Sequence, residues 1–393
     1  MESGMYLYPW EIGDMETFAR EYAETGCNAV APALSYHHAH TFAASSGRCR
    51  RLRESAVSFT PEPGRYGAVK PLVNEDCARS GVVKQLRDWA GRKGVHFAAW
   101  MVLLHNSSLG ERRPGLTVEN LFGDASAHAL CPSRGEVREY ARAVVGDAIA
   151  QFVPGSVMLE SVTALPAFHG GHHEIANIGI SPALRWLYSL CFCPDCMAAA
   201  AKRCPGMDPG ALRDRLKKLA LDLVNGEYLI PGNGDAQLTQ LLFEVPFLFE
   251  YQKAREEGMA DFIAEMTGLI RGKGVRATVI PSATPFDVNR VFIEGMRFSL
   301  NRSNADLLLP LVYGTGETYG LVRDTIRLFD PGTPVGMAAS LNPVQSPDKG
   351  AFLAGLAAAR EDGCEHLYFY NFSLASRERR RWVQAFNEQE HDE

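Results

Sequence analysis

Short apolar runs rich in β-forming residues alternate with amphipathic helical stretches along this chain, and this alternation constrains its fold more than any other feature. Parallel strands joined by crossover helices produce such a pattern. The sequence predicts eight strands, at 5–10, 28–34, 95–103, 156–162, 275–281, 305–312, 334–340 and 366–371. The clearest helices are predicted at 15–24, 82–92, 137–152, 247–271 and about 376–387.

Eight strands with intervening helices favour an α/β fold of the (β/α)8 TIM-barrel class. An open doubly wound sheet would carry a Gly-rich phosphate turn after its first strand, and the sequence has none there. We expect a single barrel domain over 1–393, with a helical insertion after strand four at about 168–245. Asp208 followed by Pro209 is a helix-start signal within that insertion.

The charge and hydropathy of the chain exclude several classes of partner. The net charge is -6 and the pI is near 6.0, which does not favour binding to nucleic acid or to an anionic membrane. The basic run Arg377–Arg381 is interpreted as a solvated helix face. No apolar run is long enough for a membrane helix and no leader peptide is recognised, so we expect a soluble, cytoplasmic protein. A homo-oligomer is compatible with the sequence.

The predicted C-terminal strand ends are rich in aromatic, histidine and asparagine side chains, and in a barrel these ends build the active site. Glu160 lies near the C-terminal end of predicted strand four. A carboxylate ringed by aromatic faces and hydrogen-bond donors suits hydrolysis of a glycosidic bond, because it meets the developing positive charge. The candidate substrate-binding residues are Tyr8, Trp10, His37, His38, Trp100, His105, Asn106, His169, His172, His173, Tyr313 and Asn371.

The histidines support a second interpretation. His37, His38, His105, His169, His172 and His173, with Glu174, could converge on a catalytic divalent metal. Imidazoles near a sugar also act as plain hydrogen-bond donors, so both interpretations stay open.

The cysteines predict a structural zinc site. Cys191, Cys193 and Cys196 form a Cys-x-Cys-x-x-Cys turn that supplies three of the four soft ligands that a tetrahedral zinc needs. Cys131, in the loop after predicted strand three, is the best candidate for the fourth ligand, and Cys204 is the alternative. No organic cofactor is expected.

The segment from Leu130 to Cys196 resembles the glycoside hydrolase family 42 β-galactosidases and related glycosidase barrels. The resemblance rests on Cys131-Pro-Ser133, on Val137 to Tyr140, on a strand ending in an acidic residue and on the three-cysteine turn. It implies a barrel glycosidase with a structural zinc near its active site, and it covers about a sixth of the chain.

Two departures from that family concern the catalytic pair. The family carries an Asn-Glu pair at the end of strand four, with Glu as acid/base, whereas Leu159 precedes Glu160 here. The family's nucleophile is a second Glu ending strand seven, where this chain has no carboxylate from 337 to 342. The partner of Glu160 is therefore sought in other loops, with Asp287, Glu317 and Glu11 as candidates in that order, and Glu160 could itself be the nucleophile.

These residues lead to one main functional hypothesis and two alternatives. The main one is a glycoside hydrolase-like enzyme that cleaves a small glycoside, with Glu160 as the principal catalytic carboxylate. The alternatives are a metal-dependent lyase or isomerase using the histidines, and a sugar-binding protein without catalysis.

Overall fold

The protein is described here by a computed structural model. It describes residues 1–44, 46–168, 176–226, 234–281, 293–294, 305–313 and 318–389, with the side chains of 234–236 and 329 excepted. Fourteen strands occur in these ranges: β1 (Glu2–Leu7), β2 (Ala29–Tyr36), β3 (Ala39–Ala43), β4 (Arg48–Leu52), β5 (Ala56–Val57), β6 (His96–Val102), β7 (Thr117–Glu119), β8 (Ala125–Leu130), β9 (Ser156–Glu160), β10 (Arg276–Val279), β11 (Leu307–Leu308), β12 (Leu311–Val312), β13 (Met337–Ser340) and β14 (His366–Tyr370).

The described helices alternate with these strands over much of the chain. They are α1 (Met15–Ala23), α2 (Glu75–Ser80), α3 (Val82–Lys93), α4 (Ser107–Arg112), α5 (Gly135–Phe152), α6 (Pro182–Ser189), α7 (Pro194–Arg203), α8 (Pro209–Asn225), α9 (Gly234–Glu244), α10 (Leu248–Arg271), α11 (Tyr319–Phe329), α12 (Lys349–Glu361) and α13 (Arg377–Gln389).

The main sheet is parallel and follows the order β11-β10-β9-β6-β2-β1-β14-β13-β12, with β5 added antiparallel to β2. Every residue of β2 is buried, as expected for a strand covered on both faces. The strands at the two edges of this sheet, β11 and β12, follow one another directly in the chain. Leu308 donates its N–H to Pro334 O at 2.9 Å, and Gly336 donates to Leu308 O at 2.8 Å.

The predicted strands coincide with this sheet, with corrections at their ends. Strand one begins and ends earlier than predicted, because a short 3-10 turn starts at Pro9. Strand four ends at Glu160, since Ser161 has a left-handed φ of 51°. Predicted strand six is in fact two short strands, β11 and β12, separated by two residues of which the second is Pro310. Proline has no N–H to donate to a neighbouring strand, so the hydrogen-bond ladder is interrupted there.

Four helices, α6 to α9, follow β9 and pack with the start of α10 around a second apolar cluster. Trp186, Leu216, Leu241 and Tyr251 are buried there. The predicted start of α8 is confirmed, since Asp208 Oδ1 accepts hydrogen bonds from the N–H groups of Gly210 and Ala211 at 2.9 and 3.1 Å. Outside this cluster, the main sheet and its helices share one core.

Three small elements at the strand ends were not predicted from the sequence. The hairpin of β3 and β4 follows β2, and the hairpin of β7 and β8 follows α4. Helix α4 begins directly after Asn106, whose Oδ1 accepts from Leu109 N–H at 3.0 Å. These elements surround the end of the sheet at which Glu160 lies.

Candidate active site

Glu160 is the last residue of β9 and pairs in register with Val102 of the neighbouring β6. Trp100, two residues earlier on β6, donates its indole Nε1–H to Glu160 Oε2 at 2.6 Å. Because alternate residues of a strand share one face, the indole and the carboxyl group meet on the same side of the sheet. The two neighbouring strands therefore fix the orientation of Glu160.

The surroundings of Glu160 change its acidity. Burial raises its pKa to about 7, and the hydrogen bond from Trp100 acts in the opposite direction because it favours the ionised form. A carboxyl group with this pKa is half protonated near neutral pH. Such a group can donate a proton and later accept one, which is what a catalytic acid/base must do.

Aromatic rings form the wall around this carboxyl group. The ring of Tyr8 is stacked on Trp10 at 4.6 Å between centroids and lies almost parallel to Trp100 at 5.8 Å. Tyr36 meets Trp100 edge-on at 5.0 Å, and Tyr370 is tilted against Tyr313 at 6.1 Å. These residues come from the ends of β1, β2, β6, β12 and β14, so the sheet itself assembles the wall.

The tyrosine hydroxyls form a connected group beside Glu160. Tyr8 Oη lies 2.8 Å from Tyr36 Oη and also hydrogen-bonds to Tyr370 Oη. Burial is the largest cause that raises the pKa of Tyr6, Tyr8, Tyr36, Tyr313 and Tyr370, and the negative charge of Glu160 adds to it at each of the five. The hydroxyls therefore stay protonated and can act as hydrogen-bond donors.

Tyr6 was not among the residues predicted from the sequence. Its position inside β1, two residues before Tyr8, was the signal that could have revealed it, because alternate residues share a face. Its hydroxyl is buried without a hydrogen-bond partner in the described part of the chain, as are Trp10 Nε1 and Asn371 Nδ2. Buried donors are normally paired, so these three can bond to a ligand or to water.

Two of the predicted histidines, His37 and His105, continue the wall beyond Tyr36. His37 stacks on Tyr36 and on His105, each at 4.2 Å between ring centroids. His37 Nδ1 lies 2.6 Å from His38 O, and His38 is exposed. His128, which was not predicted, lies 6.2 Å from His105. His169, His172, His173 and Glu174 lie outside the described residues.

Two of the predicted residues already have structural partners. Asn106 caps α4 through its oxygen and donates Nδ2–H to Tyr140 Oη at 3.2 Å, so both of its polar groups are engaged. Asn371 Oδ1 accepts from Ser373 N–H at 2.8 Å, and its other polar group is the unpartnered Nδ2. Their assignment to substrate binding stays a prediction.

The second catalytic carboxylate is not identified. Asp287 and Glu317 lie outside the described residues. Glu11 accepts a hydrogen bond from Thr41 Oγ1 and lies 3.3 Å from Arg50 Nε, which is the arrangement of a structural ion pair. Glu294, which was not predicted from the sequence, is buried, and its Oε2 accepts from Thr163 Oγ1 at 3.4 Å.

The four predicted cysteines do come together. The Sγ atoms of Cys131, Cys191, Cys193 and Cys196 lie within 4.8 Å of one another, and all four thiols are free. Cys131 Sγ is 3.7, 3.8 and 3.5 Å from those of Cys191, Cys193 and Cys196. This arrangement could bind a metal. Cys204, the alternative fourth ligand, is not part of the group.

Two arginines stand next to this cysteine cluster. Arg134 donates its backbone N–H to Cys131 O at 3.1 Å, and the Nη1 of its guanidinium group pairs with Asp195 at 2.9 Å. Arg255 is buried and donates Nη2–H to Ser189 O at 3.2 Å, two residues before Cys191. Positive charge therefore lies beside a group of potential thiolates. In the described ranges, no further set of three His, Cys, Asp or Glu side chains gathers closely enough for a metal.

Comparison of the sequence with known proteins identifies no family. No protein-family model matches the chain, and no curated protein matches it. Within the described residues, no helix is both long and apolar enough to cross a membrane.

Comparison of the structure with solved structures finds glycoside hydrolases. The catalytic domain of a β-amylase from Paenibacillus polymyxa superposes with a TM-score of 0.59 at 10% identity, covering 98% of this chain and 97% of that one. A β-galactosidase from the psychrophilic Marinomonas ef1 gives 0.57 at 11% identity. An α-L-fucosidase from Paenibacillus thiaminolyticus gives 0.57 at 9% identity.

The coverage of these matches differs between the two chains. The β-galactosidase is matched over 100% of this chain but 60% of its own length, and the fucosidase over 99% of this chain but 49% of its own. At these identities the similarity concerns the fold. The chain thus has a curled, mostly parallel α/β sheet like that of several glycoside hydrolases.

Proposed function

We propose that this chain is a glycoside hydrolase-like enzyme that cleaves a small glycoside, with Glu160 as its principal catalytic carboxylate. The observation that carries the proposal is the half-buried carboxyl group of Glu160, with a pKa near 7, oriented by Trp100 within an aromatic wall. A protonated carboxyl group at such a place can give its proton to the oxygen of the leaving group as the glycosidic bond breaks.

The aromatic wall supports a carbohydrate substrate. Sugars present apolar faces that stack on rings and hydroxyl groups that need hydrogen-bond partners. Tyr8, Trp10 and Trp100 supply the rings, and Tyr6, Trp10 and Asn371 supply buried donors that lack a partner in the described structure. A sugar bound there would satisfy these donors, whose burial otherwise costs free energy.

A second carboxylate completes the proposed mechanism. Asp287 and Glu317 remain proposals, and Glu294 joins them because it is held close to Thr163, three residues after Glu160. A separation of about 5 Å between the two carboxyl groups would indicate retention of configuration, and one of about 6.5 to 9.5 Å would indicate inversion.

The proposed scaffold is a closed (β/α)8 barrel in a single domain, with α6 to α9 as an insertion after strand four. The hydrogen bonds that join Leu308 to Pro334 and Gly336 support closure, because they link the β11 end of the sheet to the segment that leads into β13. Closure places all strand ends around one mouth, where Glu160 lies.

We also propose that the cysteine cluster binds a structural zinc ion. Zn–S bonds of 2.3 Å in a tetrahedron place the sulfurs about 3.8 Å apart. The three distances from Cys131, at 3.5 to 3.8 Å, fit this geometry. Arg134 and Arg255 would offset the net negative charge of a zinc ion with four thiolates. The ion would stabilise the fold between the β8–α5 loop and α7.

Hydrolysis of a panel of nitrophenyl glycosides by the wild type and by Glu160→Gln tests the catalytic proposal. We expect the wild type to cleave at least one glycoside and the substitution to reduce kcat at least about a thousandfold. Glu136→Gln, which changes an exposed carboxylate paired with Arg113, is the matched control and should retain activity. Unchanged turnover by Glu160→Gln would refute the role of Glu160.

Two further measurements test the alternative functions. Turnover that is lost on chelation, and restored by a divalent ion, would favour the metal-dependent lyase or isomerase that the histidines suggested. Calorimetric binding of sugars without any turnover would favour a sugar-binding protein. The cytoplasmic location and a homo-oligomeric state stay predictions.

A further inference from the structure

The hairpin of β3 and β4 carries an unusual concentration of positive charge. The segment 37–53 contains four arginines and three histidines and no Asp or Glu. The whole chain, in contrast, has a net charge of -6. The hairpin is therefore a local basic feature on an acidic protein, and it follows β2, whose end forms part of the aromatic wall.

The inner face of the hairpin is attached to the edge of the proposed active site. Arg50 donates Nη1–H to Trp10 O at 2.7 Å, and its Nε lies 3.3 Å from Glu11 Oε2. Thr41, opposite Arg50 in the hairpin, hydrogen-bonds to Glu11 as well. At the base of the hairpin, His38 N–H donates to Ser55 Oγ at 3.2 Å. These bonds fix the hairpin beside Trp10.

The outer face of the hairpin is exposed. Directly opposite residues of an antiparallel pair share a face. His40 is opposite Arg51 and Phe42 is opposite Cys49, and all four side chains are exposed, with Phe42 at 58%. The outer hairpin face therefore combines an aromatic ring with basic groups.

The arginines of this region differ in their partners. Arg50 is paired with Glu11. Arg51 and the exposed Arg53 have no hydrogen-bonded or ion-paired acidic partner among the residues that the structure describes. Their guanidinium groups are therefore free to bind an external anion, and Arg is well suited to bind carboxylate or sulfate through two parallel hydrogen bonds.

A series of rings connects Glu160 with the outer hairpin face. Trp100, which holds Glu160, meets Tyr36 at 5.0 Å, and Tyr36 stacks on His37 at 4.2 Å. His37 lies 6.3 Å from His38, which is exposed and leads directly into β3. The series of rings therefore reaches from the carboxyl group to the start of β3, the strand that carries Phe42.

We propose that the outer hairpin face binds an acidic glycan chain that extends from the reacting sugar, so that the substrates are glycosides with carboxylate or sulfate groups. This inference rests on the proposed glycoside hydrolase function. The rings contact sugar faces, and Arg51 and Arg53 pair with the anionic groups. The basic charge of 37–53 is concentrated in one hairpin next to the site, whereas a nucleic-acid-binding protein usually carries basic charge over a broader surface.

Binding to Glu160→Gln tests the inference without turnover. Isothermal titration calorimetry compares a tetramer of galacturonic acid, a sulfated galactose tetramer and a neutral galactose tetramer with the same linkage, at low and high ionic strength. We expect the acidic tetramers to bind at least about tenfold more tightly than the neutral one at low ionic strength, and salt to remove the difference. The preferred tetramer tells whether carboxylate or sulfate is recognised.

Two variants show whether the hairpin is responsible. In Arg51→Ala/Arg53→Ala the preference for the acidic tetramers should disappear, and Phe42→Ser should weaken binding of all three tetramers. Arg92→Ala/Lys93→Ala removes two charges at the end of α3, where the chain enters the opposite end of β6, and should leave the preference unchanged. All of these side chains, Phe42 included, are exposed, so the variants should fold.

The outcomes separate this inference from the proposed function. Equal binding of acidic and neutral tetramers, or a preference that survives Arg51→Ala/Arg53→Ala, would overturn the inference even if Glu160 is confirmed as catalytic. Tighter binding of a single-stranded oligonucleotide of equal charge than of either acidic tetramer would overturn it too. Arginine-dependent binding of acidic glycans by a protein that hydrolyses none would support the binding surface and reject the enzyme.

Discussion

The indole Nε1–H of Trp100 donates a 2.6 Å hydrogen bond to Oε2 of Glu160, and this bond opposes the effect of burial on the acidity of the carboxyl group. Burial favours the neutral form, which suits a proton donor, and the indole favours the ionised form, which suits a proton acceptor. The pKa near 7 results from burial and from the hydrogen bond of Trp100 together. A substitution can therefore change one of these two effects without the other.

Trp100→Phe removes the hydrogen bond and keeps a ring in the wall. We expect the pKa of Glu160 to rise further, so the decline of kcat/KM on the alkaline side should move to higher pH by about one unit. The pH dependence of kcat/KM for both proteins measures this shift. Trp89→Phe changes a buried indole of α3 in contact with Phe18 and should leave the profile in place. A shift of the alkaline decline of kcat/KM to lower pH in Trp100→Phe would contradict this account of Glu160.

The cysteine cluster predicts about one zinc ion per chain in protein purified without chelator. Cys193→Ser should lose the zinc and lower the midpoint of thermal unfolding, because the binding free energy of a structural zinc contributes to folding. Metal analysis by mass spectrometry and thermal denaturation are the measurements. Cys49→Ser changes an exposed cysteine of β4 and should affect neither. A full complement of zinc in Cys193→Ser would reject the assigned ligand set.

A half-buried ionic network lies at the opposite end of the sheet, where the strands begin. Glu2 Oε1 is bonded to Arg276 Nη2 and Tyr368 Oη at 2.5 and 2.6 Å and lies 3.4 Å from His366 Nδ1. Burial alone would raise the pKa of Glu2, but His366, Arg276 and Tyr368 together hold it well below its usual value.

This network predicts how stability depends on pH. A lowered pKa in the folded state means that Glu2 stabilises the fold above its unfolded pKa of about 4.5, and that this contribution is lost as the pH falls below that value. Glu2→Gln should therefore lower the free energy of unfolding at pH 7 by about 2 to 3 kcal/mol. It should also weaken the pH dependence below pH 4.5. Urea denaturation at several pH values checks both; an unchanged acid dependence in the variant would contradict the assignment.

The start of α8 gives a prediction for the helical region after β9. Asp208→Ala removes the side-chain oxygen that accepts from Gly210 and Ala211, so we expect a loss of about 1 kcal/mol in the free energy of unfolding. Asp208→Asn keeps an accepting oxygen, so its free energy of unfolding should fall much less. Denaturant titration of the three proteins compares them; equal losses for Ala and Asn would show that charge, and not capping, is what Asp208 contributes.

The sequence predicts the parallel strands well because their signals are local. Continuous apolar runs such as the one at β2, and the stop provided by Gly94 after α3, are features of a few neighbouring residues. The cysteine cluster was predictable for a similar reason. Three of its cysteines lie in one turn, and the fourth follows from the expectation that the loops after strands three and four are neighbours.

The parts that were not predicted depend on contacts between distant residues. The hairpin of β3 and β4 is held by Arg50 against Trp10 and Glu11, about 40 residues away, and nothing in its own sequence shows this. Glu11 is a candidate catalytic carboxylate by its position after strand one, and its pairing with Arg50 is visible only in the structure. The burial that sets the pKa of Glu160 is likewise a property of the assembled wall.

The most direct test of the account is the pH dependence of kcat/KM for hydrolysis of the best glycoside by the wild type. If the carboxyl group of Glu160 donates the proton, kcat/KM should fall above an apparent pKa near 7, and Glu160→Gln should lose both the activity and this pH dependence. A rate that stays constant from pH 6 to pH 9, or a residual activity of Glu160→Gln with the same alkaline decline, would contradict the central role given to Glu160.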